Sequence, residues 1–291
     1  MGHPVVVLQL MLMIPRQTEA QRCQCGKANR RSRFPREIMH HIVGPRAQKT
    51  EAHEYPWHVG IFQRSVRGGW RQKPHCGGSI IAPRYVLSAA HCVSVYEYGQ
   101  ARKYEVKVVV GEHNILDHVS DRRDVSYVQI HPKYKVRNPT EYTTLATTQA
   151  GQAGEFDFAI LTLTQPLTFS SAVAPICLPA SSYSQYNGQM ATATGWGATN
   201  DNGDQPATLL EAAMQVGRCG AVAGWKHICA RGQGQGICPG DSGGPLSVVE
   251  NDRFEMLINV CTKIITLAYA YVVSILQEHS DWCGKFRTRI L

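Results

Sequence analysis

What most limits the fold of this chain is its texture beyond Ile42, where short strand-forming runs alternate with glycine, proline, asparagine and aspartate. The runs fall at 58–62, 79–87, 104–110, 125–130, 159–163, 191–195 and 246–249. Segments of four to nine residues closed by turn formers suit strands, and the alternating helices of a βαβ protein are missing. The chain is therefore predicted to be all-β, a barrel or a sandwich. A helical pattern stands out only near residues 273–286, and no internal repeat is visible in the motifs.

The N-terminal part has a different texture. Residues 4–14 form an apolar run too short to span a bilayer, read as a secretory signal within residues 1–20. Residues 21–41 are polar and basic and read as a pro-segment, and residues 42–291 as the folded domain, with an unusual stretch after residue 258. A second apolar stretch, 257–276, has nearly the length of a membrane span. Asn259 and Lys263 interrupt it, so it is read as buried strand rather than membrane anchor. Residues 137–156 are small and polar and are predicted to be a long surface loop.

Hydrophobic content of 43% with 18% charged residues excludes a disordered chain and is enough for a sizeable core. The net charge is +8, but Arg22, Lys27, Arg30, Arg31, Arg33 and Arg36 sit together near the N-terminus. No basic face interleaved with aromatics follows, so nucleic acid is not an expected partner. The ten cysteines are dispersed, without paired C-x-x-C motifs, which predicts disulfides formed in an oxidising compartment and hence secretion.

Three segments carry candidate chemistry: Leu87-Ser88-Ala89-Ala90-His91-Cys92, Phe156-Asp157-Phe158-Ala159-Ile160-Leu161, and Gly236-Ile237-Cys238-Pro239-Gly240-Asp241-Ser242-Gly243-Gly244-Pro245-Leu246. In chain order they supply a histidine, an aspartate and a serine. A serine hydroxyl needs a neighbouring base, and the base needs a carboxylate to fix its tautomer. His91 is the candidate base, Asp157 the orienting group and Ser242 the nucleophile. The backbone N–H groups of Gly240 and Ser242 are candidate oxyanion donors. Gly-Asp-Ser-Gly-Gly also fits the nucleophile elbow of α/β-hydrolases, but that fold requires Ser, then Asp, then His, on βαβ units. Here only forty-nine residues follow Ser242, with Asp252 preceding His279, in a chain without that texture.

These motifs, with YPWHVGI at 55–61, CGGSIIAPRYVLSAAHC at 76–92, PICLP at 175–179 and TGWGAT at 194–199, closely resemble those of the trypsin/chymotrypsin-like serine peptidases. The resemblance runs from residue 42 to about 258. It implies two six-stranded antiparallel barrels with a C-terminal helix, and a secreted, monomeric endopeptidase acting on protein or peptide substrates through an acyl-enzyme. It further implies synthesis as a zymogen, in which an activating protease frees the amine of Ile42 to pair with Asp241. Implied disulfides are Cys76–Cys92, Cys219–Cys229, Cys177 with Cys23 or Cys25, and Cys238 with Cys261 or Cys283. No cofactor is expected. The family's calcium loop would fall near 112–121, where mixed charges suggest a surface loop instead.

The chain departs from the family pattern in three places. Ile42-Val43-Gly44-Pro45 carries proline in place of the family's second glycine, and His41 rather than a basic residue precedes Ile42. Gly236 stands where trypsins hold the aspartate of the specificity pocket, which points to an apolar or small substrate side chain. Residues 259–271 lack the Ser-Trp-Gly segment that pairs with substrate backbone. These departures motivate an alternative expectation, a non-catalytic homologue that binds or regulates partners.

Overall fold

The computed structural model describes residues 24–29, 47–65, 69–94, 104–116, 122–134, 156–178, 186–200, 202–217, 229–232, 238–250 and 252–259. Among these residues twelve strands follow one another: β1 (Gln48–Lys49), β2 (His58–Ser65), β3 (Cys76–Ala82), β4 (Tyr85–Ser88), β5 (Tyr104–Val109), β6 (Arg122–Ile130), β7 (Ala159–Leu163), β8 (Met190–Gly195), β9 (Leu210–Gly217), β10 (Cys229–Arg231), β11 (Pro245–Glu250) and β12 (Arg253–Asn259). The described residues are thus nearly all-β. β2, β3, β4, β7, β6 and β5 close a six-stranded antiparallel barrel. The other six form a second antiparallel sheet in the order β1-β9-β8-β11-β12, with β10 on β9, as the two-barrel fold requires. The expected C-terminal helix lies outside the described residues.

Two differences from the sequence reading have physical causes, one local and one tertiary. The run 79–87 is two strands, because Pro83-Arg84 forms the turn between β3 and β4. Proline has no N–H to give to a ladder and presets a turn dihedral. β9 was not among the predicted strands. Its Leu-Glu-Ala-Ala-Met-Gln-Val-Gly sequence is rich in weak strand formers, yet Ala212, Met214 and Val216 are buried in alternation. Tertiary burial of that face, not propensity, sets it as a strand.

The core is continuous across the two sheets. Trp57, Val59, Ile61 and Ile80 of the first barrel pack in one cluster with Trp196, Leu209, Phe254 and Met256 of the second half. Tyr186, Met214, Val216, Leu246 and Val248 form a smaller cluster inside the second sheet. Two disulfides bracket the arrangement. Cys76–Cys92 ties β3 to the turn that carries His91. Cys25–Cys177 ties the segment 24–29 to the body across a sequence separation of 152. Around it, Gly26 N–H donates to the Pro175 carbonyl and Phe254 N–H to that of Gly26, each at 2.8 Å. In the chain-entropy picture, cross-links of these lengths contribute about 5 and about 3 kcal/mol for the long and the short loop respectively.

Candidate active site

His91 sits in a single 3-10 turn, Ala90–Cys92, that ends β4. Ala90 and Cys92 are buried on either side of it, and the disulfide fixes the turn to β3. Asp157 lies two residues before the start of β7, the neighbour of β4 in the barrel. Strand pairing therefore brings together two residues that are 66 positions apart in sequence. Asp157 Oδ2 is 2.7 Å from His91 Nδ1, and its Oδ1 accepts the His91 backbone N–H at 2.8 Å. Both carboxylate oxygens thus act on the same residue. The Asp157 side chain is only 6% exposed, whereas that of His91 is 31% exposed. Because Nδ1–H is held by Asp157, the basic lone pair lies on Nε2.

Ser242 comes from the other half of the molecule, on the turn before β11. Its carbonyl accepts the Gly77 N–H of β3 at 2.8 Å, which stitches the serine turn to the first barrel. Ser88 Oγ donates to the Gly77 carbonyl at 2.8 Å on the same seam. Gly243, at φ +81°, is what permits this approach. A β-carbon there would strike Ser88 Oγ and stand 2.6 Å from the Gly77 carbonyl oxygen. The half-cystine Cys92 lies between the two functional residues, its Sγ 3.6 Å from His91 Nε2 and 3.7 Å from the Ser242 carbonyl oxygen.

The turn itself is held by Asp241 N–H donating to Cys238 O and Gly244 N–H to Asp241 O, each at 3.0 Å. Among the described residues the N–H groups of Gly240 and Ser242 meet no backbone acceptor. Such a pair of donors on one tight turn is the arrangement an oxyanion site needs. Asp241 points away from them, beneath the Trp196 loop. Its Oδ1 accepts Gly197 N–H at 2.7 Å and its Oδ2 accepts Cys238 N–H at 3.0 Å. The fit admits only glycine at two neighbours, since a β-carbon on Gly195 or Gly197 would collide with the carboxyl. Burial pushes the Asp241 carboxyl up to about 6, against the pull of the two backbone N–H groups.

Two further histidines line the seam, and neither was singled out in the sequence. His58 Nδ1 shares a hydrogen bond with Thr194 Oγ1 at 2.9 Å, and its ring stands edge-on to Trp196. Its Nε2 is buried without a hydrogen-bond partner. Burial drives its pKa down to about 3. His75 gives its Nε2–H to the Cys92 carbonyl at 3.1 Å and keeps a buried Nδ1. Its pKa falls to about 4, chiefly through burial, with the charges of Arg71 and His91 adding to the effect. Both rings are thus neutral at ordinary pH. Their sequence neighbourhoods, YPWHVGI and KPHCGG, carry no sign of this role.

The remaining site expectations divide in two. Cys25, rather than Cys23, is the partner of Cys177, and Cys76 is bonded to Cys92. Cys229 is disulfide-bonded, while its expected partner Cys219 lies outside the described residues. Cys238 is half-buried at the serine turn, and Cys261 and Cys283 also lie outside. The same holds for Cys23, His41, Ile42, Pro45 and Gly236, and for the Asp117–Asp121 part of the expected surface loop. One group of metal-ligating types exists among the described residues, Cys76, His91 and Cys92. Its two sulfurs are joined to each other, so it offers no thiolate to an ion.

A family model described as Trypsin matches residues 43–263. The chain belongs to the trypsin family. Among the trypsin-family relatives is a chymotrypsin-like elastase family member 1 of Felis catus, 32% identical over 70% of this chain and 74% of its own. Another is a venom serine protease of Polistes dominula, 26% identical over 83% of this chain and 79% of its own. The serine proteinase stubble of Drosophila melanogaster is 31% identical over 68% of this chain but only 25% of its own length. No helix among the described residues is long and apolar enough to cross a membrane.

Proposed function

We infer that this chain is a secreted serine endopeptidase, made as a zymogen, that cleaves peptide bonds through an acyl-enzyme on Ser242. The observation that carries the reading is the doubly bonded Asp157–His91 pair set at the same seam as Ser242. His91 Nε2 takes the Ser242 Oγ proton as Oγ attacks the carbonyl carbon of the scissile bond. Asp157 keeps Nδ1 protonated and stabilises the imidazolium that forms. The carbonyl oxygen, now anionic, receives the N–H groups of Gly240 and Ser242. Collapse of the tetrahedral intermediate breaks the carbon–nitrogen bond, and His91 delivers its proton to the departing amine. Water then attacks the Ser242 ester with His91 again as base, releasing the acid and restoring Oγ–H.

Cleavage before Ile42 supplies the cation that Asp241 lacks in the intact chain, where Ile42 is in peptide linkage. An ammonium beside the buried carboxylate lowers its pKa and anchors the serine turn. The disulfide Cys25–Cys177 then keeps the cleaved pro-segment attached. Gly236, in place of an acid, supports apolar or small side chains at the cleaved bond, in keeping with the elastase-like name of one relative.

A phosphonylating serine probe tests the reading. Applied to protein with a verified Ile42 N-terminus, it is expected to label Ser242, and labelling should vanish in Ser242→Ala. No labelling, together with no hydrolysis across a panel of apolar and small-residue peptides, would sink the peptidase reading in favour of a non-catalytic homologue.

A further inference from the structure

The loop that follows Trp196 ends on a side chain placed directly against the oxyanion glycine. Thr199, Asn200 and Asp204 are bonded to one another: Thr199 N–H donates to Asp204 O at 2.9 Å, Asp204 N–H to Asn200 Oδ1 at 3.1 Å, and Asn200 Nδ2 to Asp204 Oδ2 at 2.8 Å. The next residue is Gln205. Its Nε2 donates to the Pro74 carbonyl, in the first barrel, and to the Trp196 carbonyl, in the second half, each at 3.0 Å. Both amide hydrogens are therefore committed. Lys73 Nζ also donates to the backbone carbonyl of Gln205 at 2.5 Å.

The fixed amide lies over Gly240. A β-carbon on Gly240 would stand 2.5 Å from Gln205 Nε2 and 3.0 Å from Gly197 Cα. Gly240 has φ +104°, a conformation without local preference among L-residues and adopted by glycine among many alternatives. Its peptide plane must nonetheless be fixed if its N–H is to meet a developing oxyanion. Ala198 N–H donates to the Pro239 carbonyl at 2.9 Å and Gly197 N–H to Asp241, so the same loop grips the residues on both sides of Gly240. At Gly240 itself the grip is Gln205.

We propose that Gln205 is a positioning residue that clamps Gly240 in its oxyanion-donating conformation by bridging the Pro74 and Trp196 carbonyls across the seam. The proposal rests on the serine peptidase reading for its catalytic consequence, but the clamp itself is independent of turnover. An interaction realised only in the transition state changes kcat and leaves KM alone. Complete loss of one oxyanion donor costs about 10²–10³ in kcat. Loosening Gly240 is expected to cost part of that, about tenfold or more.

The test compares Gln205→Ala with Gln205→Met, which keeps length but has no hydrogens to donate. On processed full-length protein and an apolar peptide anilide, both are expected to lower kcat about tenfold or more. KM should stay within about threefold, and the pH midpoint of kcat should not move, because His91 and Asp157 are untouched. In the intact chain carrying Ser242→Ala, amide hydrogen exchange of the peptide 238–244 should quicken about tenfold in both variants. Unchanged exchange overturns the clamp, and so does a loss confined to KM or a kcat within about threefold of the parent. If the parent shows no Ser242-dependent turnover, the peptidase reading falls on that result, and exchange alone decides the clamp.

Discussion

Asp241 in the intact chain is an acid held against its own ionisation, and Asp241→Asn should expose the cost. The carboxyl is pushed from an ordinary 3.8 to about 6 by burial under Gly195 and Gly197. A folded-state pKa raised above the unfolded value means that the carboxyl's stabilising contribution is complete below about pH 3.8. It is lost progressively as pH rises through 6. Two pKa units correspond to about 3 kcal/mol, so at neutral pH the carboxylate opposes folding by roughly that much. Asparagine removes the charge but keeps one oxygen for the two N–H donors, Gly197 and Cys238. Its own NH2 then faces the second donor, at a cost of about 1–2 kcal/mol. The net expectation is a gain of about 1–2 kcal/mol at pH 7.5 that turns into a loss of similar size near pH 4. Urea denaturation of the unprocessed chain in a Ser242→Ala background, at both pH values, measures this. A destabilised variant at pH 7.5, or a difference independent of pH, would refute the argument that burial rather than hydrogen bonding governs Asp241.

Three further perturbations test other parts of the site. Asp157→Asn keeps the shape of the His91 contact but favours the wrong tautomer; kcat on a peptide anilide should fall about 10⁴-fold, the figure known for this family's triad, with little change in melting temperature. His58 is held neutral with a pKa of about 3, so its contribution to stability is present above about 6.5 and lost as pH falls. Between pH 7.5 and 5 that loss is about 2 kcal/mol, and denaturation of His58→Gln at the two pH values should show it reduced by that amount. Gly243→Ala would place a β-carbon against Ser88 Oγ and the Gly77 carbonyl at φ +81°. The expected destabilisation is about 3 kcal/mol or more, read by the same denaturation assay, with no serine-probe labelling at temperatures where the parent labels fully.

The sequence by itself determined the strand texture, the order of the three candidate segments and the residue types they contain. These are local properties: turn formers delimit strands, and AAHC, DFAIL and GDSGGPL each occupy one continuous stretch. The family resemblance, not the residues alone, implied Cys76–Cys92 and two candidate partners for Cys177, of which the structure selects Cys25. β9 escaped notice because its alanines gain a strand's alternation only when one face is buried. The closing of a barrel through β4 and β7 decided that Asp157 reaches both His91 Nδ1 and the His91 backbone. The folding of the second sheet decided that TGWGAT is the cover over Asp241 and that Gln205 lies on Gly240, and its meeting with the first barrel that His58 is buried neutral. Each of these depends on desolvation and close approach between segments far apart in the chain. Neither quantity is a property of a residue type, so only the tertiary structure could set them.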